Sequence, residues 1–216
     1  MSGCFVTFEG IEGSGKTTQL LRLAEHLRTR GLNVVTTREP GGTVISEQIR
    51  AVLLDPSHTA MGVTTELLLY AAARAQHVHE LILPALESGS IVLCDRFADS
   101  TLAYQGAGRE LDPAMLSQFN EIATGGLLPS RTYLLDLPVG AGLQRARERG
   151  RMDRMEAQAR EFHERVRAGF LTLAREQPQR IVVLDAAQEI SVLASEVLED
   201  FSQTFEAAPP MQKLHS

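Results

Sequence analysis

Five short runs of apolar and β-branched residues alternate along the chain with longer segments whose apolar residues recur at helical spacing. This alternation is typical of βαβ units, in which a helix connects two parallel strands and packs on their sheet. It predicts an α/β fold of three layers, with a five-stranded parallel sheet between two layers of helices. The predicted strands cover residues 4–8, 33–37, 91–94, 132–135 and 181–184.

Length, charge and cysteine content restrict the classes of protein that the chain can represent. Its 216 residues suit a single domain, predicted over residues 1–206, followed by a flexible tail over 207–216. A net charge of −6 argues against a nucleic-acid partner, because such binders usually carry a basic surface. The sequence shows neither a basic leader nor eighteen consecutive apolar residues. With Cys4 and Cys94 outside any metal-binding pattern, we expect a cytoplasmic protein without a membrane partner.

A glycine-rich loop connects the first predicted strand to a helix predicted over residues 17–29. Its sequence, Gly-Ile-Glu-Gly-Ser-Gly-Lys-Thr, matches the Gly-x4-Gly-Lys-Ser/Thr pattern of the P-loop nucleoside triphosphatases. The glycines let backbone N–H groups turn towards phosphate oxygens, and the helix directs its positive end to the same anion. The residues expected to bind the triphosphate are Gly10, Ile11, Glu12, Gly13, Ser14, Gly15, Lys16, Thr17 and Thr18.

Three side chains near this loop suit a triphosphate with bound Mg²⁺. Lys16 is one of only two lysines beside nineteen arginines, and its compact ammonium is expected to contact the β- and γ-phosphates. The Thr17 hydroxyl and the Asp95 carboxylate, which follows the third predicted strand, are candidate Mg²⁺ ligands. Asp95 could bind the ion through a water molecule. The pattern specifies nucleotide binding and not the reaction. The chain lacks the Asn-Lys-x-Asp motif that reads guanine and is short for a motor or transporter ATPase, so the sequence favours an ATP-dependent kinase of small molecules.

Two arginines follow the predicted strands at the edge where open α/β sheets bind their ligands. Arg96 comes directly after Asp95, and its guanidinium can bind an acceptor phosphate with two hydrogen bonds. Arg38 begins the segment Arg-Glu-Pro-Gly-Gly after the second strand, and Pro40 and the glycines would fix that loop near a ligand. The sequence therefore predicts a second anion site beside the P-loop.

A long apolar helix is predicted over residues 66–87. Tyr70 and Arg74 are one turn apart on it, so an aromatic face and a donor fork are available to a flat heterocycle with a carbonyl edge. Ser100 and Tyr104 repeat this spacing after Asp-Arg. The apolar surface of the helix is wider than one sheet face covers, so part of it is expected to form a homodimer interface.

These motifs, in this order, resemble bacterial thymidylate kinases, and the resemblance extends over nearly the whole chain. It implies a P-loop nucleoside monophosphate kinase that uses ATP and Mg²⁺ to phosphorylate dTMP, with these nucleotides as its small-molecule partners. The segments that carry it are the glycine-rich loop, Thr-Arg-Glu-Pro-Gly-Gly-Thr at 37–43, Tyr-Ala-Ala-Ala-Arg-Ala-Gln at 70–76, Asp-Arg at 95–96 and Ala-Tyr-Gln-Gly at 103–106.

The resemblance implies a role for each residue of the base pocket. Tyr70 corresponds to the aromatic residue that stacks on thymine, and Arg74 corresponds to the side chain that bonds the base carbonyl. Ser100 corresponds to a polar base contact, and Tyr104 to the aromatic residue that disfavours a 2′-hydroxyl. Phe97 departs from the tyrosine or histidine often found after Asp-Arg, so no role is assigned to it.

The resemblance also implies catalytic residues. Glu12 corresponds to an acidic residue near the sugar and phosphate of the acceptor. The arginine-rich segment at about 145–160 resembles a mobile lid that closes over ATP, and Arg149 and Arg154 are its candidate catalytic arginines. The implied catalytic set is Glu12, Lys16, Arg96, Arg149 and Arg154, and the implied substrate-binding set is Glu12, Arg38, Glu39, Pro40, Tyr70, Arg74, Arg96, Ser100, Tyr104 and Gln105.

Two other functions remain open from the residues alone. A deoxynucleoside kinase shares the P-loop and the Asp-Arg pair, but it needs a carboxylate base for a 5′-hydroxyl, which Glu39 could supply. A nucleotide-sensing module without turnover would use the lid and the tail to contact a protein partner. Activity with thymidine or with dTMP, or with neither, distinguishes the three.

Overall fold

The structure, a computed structural model, describes residues 3–148, 150 and 152–206. It confirms the three-layer α/β fold, in which helices cover both faces of a five-stranded parallel sheet. Each strand agrees with its predicted bounds to within one residue at either end. The strands are β1 (Cys4–Glu9), β2 (Val34–Arg38), β3 (Ile91–Asp95), β4 (Arg131–Asp136) and β5 (Ile181–Asp185), in the spatial order β2-β3-β1-β4-β5.

The helices run between the strands as the alternating pattern predicts. The predicted helix at 17–29 is α1, which starts one residue earlier. Within the described residues, π-helical segments at Val78–Ile82, Leu102–Gly108 and Ser202–Glu206 continue the helices before them. The α-helices are α1 (Lys16–Thr29), α2 (Val44–Leu54), α3 (Val63–His77), α4 (Leu83–Glu87), α5 (Ala98–Thr101), α6 (Pro113–Thr124), α7 (Val139–Glu148), α8 (Arg160–Glu176) and α9 (Ile190–Phe201).

The long helix predicted over residues 66–87 runs from Val63 to Glu87 as α3, a π-helical segment and α4. Pro84 lies in the first turn of α4. Since proline lacks an N–H and its ring clashes with the carbonyl four residues earlier, a regular α-helix cannot pass through it. The wider turn at Val78–Ile82 relieves this conflict without ending the helix.

The central strand β1 is buried on both faces. Side chains alternate across a strand, so Val6 and Phe8 pack in the larger core while Phe5 packs in a smaller one with Val92 and Phe97. The carboxyl end of β1 therefore lies between those of β3 and β4, where the ligand-binding edge of a parallel sheet is expected.

The described residues contain no helix that is long and apolar enough to cross a membrane. The predicted lid begins in α7 and continues to the start of α8. The tail predicted over 207–216 lies outside the described residues, as does Arg149 in the lid.

Candidate active site

The loop between β1 and α1 has a shape that depends on its glycines. Gly10, Gly13 and Gly15 have φ angles of 135°, 72° and 92°, a region that other residues rarely adopt. A Cβ atom on Gly10 would lie 2.5 Å from the Leu135 carbonyl oxygen, and one on Gly13 would lie 2.3 Å from that of Gly142. The loop is thus packed tightly between the end of β4 and α7, and its backbone is fixed in place.

Lys16 lies inside this loop. Its Nζ atom donates to the Ile11 carbonyl oxygen at 2.8 Å and lies 3.4 Å from Ser14 Oγ. Burial of the ammonium and the nearby positive charge of Arg96 lower its pKa to about 8, against the opposing effect of Asp95. The loop therefore holds a desolvated cation, which attracts an anion more strongly than an exposed lysine does. Thr18, which the sequence also predicts to bind the triphosphate, is exposed.

Thr17 and Asp95 meet at the edge of the loop. The Thr17 hydroxyl donates a hydrogen bond to Asp95 Oδ2, which joins the first turn of α1 to the end of β3. A hydroxyl and a carboxylate are hard oxygen donors of the kind that Mg²⁺ prefers. The described residues hold no group of three or more candidate metal ligands. The pair fits a Mg²⁺ that takes its remaining ligands from water and phosphates, as this ion usually does.

Arg96 projects from the end of β3 to the P-loop. Its φ angle is 72°, unusual for a residue with a side chain. Nη1 donates to the Gly10 carbonyl oxygen at 2.9 Å and to Ser100 Oγ at 3.3 Å, and Nη2 donates to Glu12 Oε1 at 3.1 Å. The guanidinium also lies 4.9 Å from the centre of the Tyr104 ring. Arg96 is thus a positioned cation beside the phosphate loop.

The Glu12 carboxylate is buried and surrounded by donors. Oε1 accepts from Arg96 and, at 2.6 Å, from the Tyr104 hydroxyl, while Oε2 lies 3.3 Å from His163 Nδ1. Burial by itself raises the pKa of Glu12, but His163, Arg96 and Lys16 together hold it well below the usual range. Glu12 is therefore ionised. Sequence reasoning missed His163, because a single histidine in a charged helix gives no local signal.

Glu9, at the last position of β1, fixes the chain directly after Arg96. Its carboxylate accepts from the Phe97 backbone N–H at 2.7 Å and from Ser100 Oγ at 2.6 Å. Burial and the charge of Asp99 raise the pKa of Glu9 to about 7, although Arg96 opposes them. Sequence reasoning gave Glu9 no separate role, since it lies outside the Gly-x4-Gly-Lys pattern.

One cavity of about 620 Å³ joins the P-loop to the predicted acceptor side. Residues to which the sequence assigned no individual role also line it, among them Arg50 from α2 and Asp153 and Glu156 from the predicted lid. Arg50 donates to the Pro40 carbonyl oxygen at 2.7 Å. The predicted residues that line the cavity are Glu12, Gly13, Lys16, Thr17, Arg38, Glu39, Pro40, Tyr70, Asp95, Arg96, Ser100, Tyr104 and Gln105.

Arg74 lies behind the cavity wall. It donates from Nε to Glu39 at 2.8 Å, from Nη1 to Thr101 and Asn120 at 2.8 Å, and from Nη2 to the Phe97 carbonyl oxygen at 3.0 Å. These bonds use four of the five N–H donors of a guanidinium. In this conformation Arg74 chiefly fixes the loop after β2 to α3, and base binding stays a prediction that depends on its fifth donor.

The guanidinium groups of Arg38 and Arg154 each contact other groups of the protein. Arg38 is exposed and lies 3.0 Å from Glu47. Arg154 is buried, with Nε 2.7 Å from the Leu53 carbonyl oxygen and Nη1 2.6 Å from Glu66 Oε2. In the part of the chain that is described, Arg154 is not among the residues lining the cavity. Its predicted contact with ATP requires these two bonds to break.

Comparison with known proteins agrees with this geometry. The model of the family described as Thymidylate kinase matches residues 8–197. The chain is 54% identical over 194 residues to the thymidylate kinase of Geotalea uraniireducens (strain Rf4), covering 87% of this chain and 91% of that protein. It is 54% identical over 203 residues to that of Geobacter sulfurreducens, covering 91% and 95%.

A solved structure extends the likeness to three dimensions. The crystal structure of thymidylate kinase from Ehrlichia chaffeensis matches with a TM-score of 0.77 at 36% identity, covering 94% of this chain and 99% of that one. Because the family model spans residues 8–197 and both relatives are covered over most of their length, the chain belongs to the thymidylate kinase family.

Proposed function

We propose that this protein transfers the γ-phosphoryl group of ATP to dTMP, giving dTDP and ADP. The observation that carries the proposal is that one and the same cavity is lined by the P-loop side chains Lys16 and Thr17 and by Tyr70 and Ser100, with Arg96 also in its wall. Such a cavity can hold a donor phosphate chain and an acceptor nucleotide together. Phosphoryl transfer depends mainly on this alignment and on neutralising charge.

On the donor side, the loop N–H groups and the Lys16 ammonium bind the β- and γ-phosphates. Because these groups are fixed before ATP arrives, they need little reorganisation during the reaction. Thr17 and Asp95 would hold Mg²⁺, which would neutralise negative charge on the phosphates. The Thr17–Asp95 hydrogen bond keeps both oxygens at the edge of the loop.

On the acceptor side, Arg96 binds the phosphate of dTMP. Its contacts with Gly10 and Glu12 direct the guanidinium towards the P-loop, so the same cation can attract the acceptor and stabilise the transferring group. Tyr70 offers a face for the thymine ring, while Ser100 contacts the base and Tyr104 adjoins the sugar. Glu39, Pro40 and Gln105 complete the wall of this pocket, and Arg38 lies at its edge.

The segment before α8 acts as the lid. Asp153 and Glu156 from this segment already line the cavity, so a short movement of the segment can cover the nucleotides and exclude water. Arg149 and Arg154 are its proposed catalytic arginines, which act like an arginine finger on the transferring phosphoryl group.

The structure favours this activity over that of a deoxynucleoside kinase. Glu39 was the candidate base for a 5′-hydroxyl, but its Oε2 accepts from Arg74 at 2.8 Å and its Oε1 lies 3.0 Å from His77 Nδ1. A carboxylate with both oxygens occupied and almost fully buried is poorly placed to take a proton from substrate.

An assay of ADP release tests the proposal with dTMP, dUMP, UMP, CMP, AMP and thymidine as acceptors. We expect the highest kcat/KM with dTMP. Higher activity with thymidine than with dTMP would contradict the proposal and would indicate a deoxynucleoside kinase. Absence of turnover on every monophosphate, with ATP binding intact, would favour the nucleotide-sensing module.

We also propose that the protein forms a homodimer through α2 and α3. These packed helices expose several large apolar side chains, which lose contact with water if a second copy covers them. A sedimentation profile of a monomer at micromolar concentration would contradict the proposal. The residues concerned are Val44, Ile45, Val52, Val63 and Leu68, which are 38% to 74% exposed.

We place the enzyme in the cytoplasm. Cys4 and Cys94 are free thiols, and burial raises the pKa of both, to about 12 for Cys4. Unpaired thiols of this kind are usual in a reducing compartment.

A further inference from the structure

Helix α8 brings a buried histidine to the P-loop. His163 has no solvent-exposed surface, and its Nδ1 atom lies 3.3 Å from Glu12 Oε2. Among the described residues, neither ring nitrogen of His163 has a hydrogen bond of good geometry, and neither does Glu12 Oε2. His163 Nδ1 and Glu12 Oε2 are close enough to form a hydrogen bond after a small rotation.

A buried polar group without a partner costs about 1–3 kcal/mol. An apolar side chain at position 163 would avoid this cost among the buried neighbours Phe162 and Val166. The histidine instead faces the one carboxylate of the P-loop. This placement suggests a role that depends on the contact with Glu12.

The Glu12 carboxylate is held from two sides. Arg96 Nη2 and the Tyr104 hydroxyl bind Oε1 at 3.1 Å and 2.6 Å, so Oε1 orients the Arg96 guanidinium together with the Gly10 carbonyl oxygen. His163 approaches Oε2. If His163 were absent, the carboxylate could rotate about its bond to the side chain and carry Arg96 away from its place beside the P-loop.

We propose that His163 is a positioning residue, which holds Glu12 in the orientation that aligns Arg96 for the acceptor phosphate. The proposal rests on the proposed function, because the roles of Glu12 and Arg96 are assigned there. His163 also lies only three residues after the start of α8. The contact thus connects the P-loop to the helix that directly follows the lid.

Kinetics of His163→Phe and His163→Asn test the proposal. Phenylalanine fills the site without a donor, and asparagine places an amide donor near the position of Nδ1. We expect His163→Phe to lower kcat/KM for dTMP about tenfold while KM for ATP stays within about twofold, a coupling of ordinary size for groups in contact. His163→Asn should recover most of this loss.

Val166→Ala is the matched control for packing. Val166 is fully buried on the same helix, so its truncation lowers the melting temperature without changing the Glu12 contact. We expect this variant to keep the wild-type KM for dTMP. If His163→Phe behaves like Val166→Ala, with reduced stability and unchanged kinetics for dTMP, the proposal is overturned.

A double variant with Glu12→Gln isolates the pair. If His163 acts through Glu12, His163→Phe adds less than about a twofold loss once Glu12 is replaced, because the two effects are not independent. Losses that multiply in the double variant would overturn the proposal. Turnover of dTMP by the wild-type enzyme is measured first, so failure of the proposed function is seen separately from failure of this inference.

The pH profile gives a readout that a packing role does not move. Glu12 faces His163 on α8, Arg96 after β3, Lys16 on α1 and Tyr104 in the π-helical segment after α5. Loss of His163 removes a contact that holds the pKa of Glu12 low. The acid limb of kcat/KM for dTMP should therefore move to higher pH in His163→Phe, but not when Glu12→Gln is also present.

Discussion

The Thr17 hydroxyl donates a hydrogen bond to Asp95 Oδ2, so the first turn of α1 is tied to the end of β3. These two elements meet because β1 and β3 are neighbours in the sheet, with Phe8 of β1 paired to Asp95. The bond places two hard oxygen donors at the P-loop, although the two residues are 78 positions apart in the chain.

Substitution of this pair should change the response to Mg²⁺. We expect Asp95→Asn to raise the Mg²⁺ concentration for half-maximal activity at least several-fold, because a neutral amide holds the ion less strongly than a carboxylate. Thr17→Val should have the same direction of effect. Titration of kcat against Mg²⁺ at fixed ATP measures the change, and an unaltered Mg²⁺ requirement in both variants would contradict the assigned site.

Lys16→Met should separate activity from stability. Loss of the preorganised cation is expected to lower kcat by about 10² or more. The pKa of Lys16 falls from about 10.5 to about 8 in the folded protein, so its charged form at pH 7 is disfavoured by folding. The variant should therefore melt at or above the wild-type temperature at pH 7. A markedly lower melting temperature would show that the ammonium stabilises the loop.

Arg96→Lys should impair use of the acceptor more than use of ATP. A lysine keeps the charge but loses the planar fork that binds Gly10 and Glu12 together. We expect kcat/KM for dTMP to fall about 10²-fold, with KM for ATP nearly unchanged. Arg175→Lys is the control, because Arg175 donates to nearby Thr172 on the exposed side of α8. Equal losses in the two variants would count against the acceptor-phosphate role.

Glu9→Gln should change how stability depends on pH. The pKa of Glu9 is raised from about 4.5 to about 7 on folding, so the folded state binds the proton more tightly and this group's contribution to stability falls as pH rises through that window. Glutamine can still accept from the Phe97 N–H and donate to Ser100. The melting temperature of the variant relative to wild type should rise between pH 4.5 and pH 8, which scanning calorimetry can measure.

The lid arginines should differ in their effects. Arg149→Ala and Arg154→Ala are both expected to lower kcat more than they weaken dTMP binding. Arg154→Ala should also lower the melting temperature, because Glu66 would lose one donor of a buried network that includes Gln105 and Arg109. Stopped-flow turnover and thermal melts measure the two effects. Normal turnover in both variants would refute the lid assignment.

The elements of the fold were predictable because their signals are local. The apolar run of β1, the glycines after it and the helical period of α1 all lie within the first 29 residues, and each dictates its own backbone conformation. The π-helical segment before Pro84 was not predicted, because the pattern of apolar residues is the same for an α-helix that contains one wider turn.

The candidate site was only partly predictable for a related reason. Residues at strand ends, such as Asp95 and Arg96, were identified because a parallel sheet brings all such ends to one edge. The partners of Arg74 and Arg154 were not, since either arginine could have faced the cavity or the protein interior. Packing of the loop after β2 and of the lid segment against α3 decided this.

The chain by itself determined the phosphate loop and the parallel sheet, because local residue patterns restrict the backbone of each, and its motifs together carried the resemblance to the family. Tertiary structure alone decided which groups surround Glu9 and Glu12. Glu9 meets Ser100 across 91 positions, and Glu12 meets His163 from a helix after the lid. The physical reason is that the charge state and orientation of a buried carboxylate depend on the donors that folding brings around it, and residue spacing does not encode them.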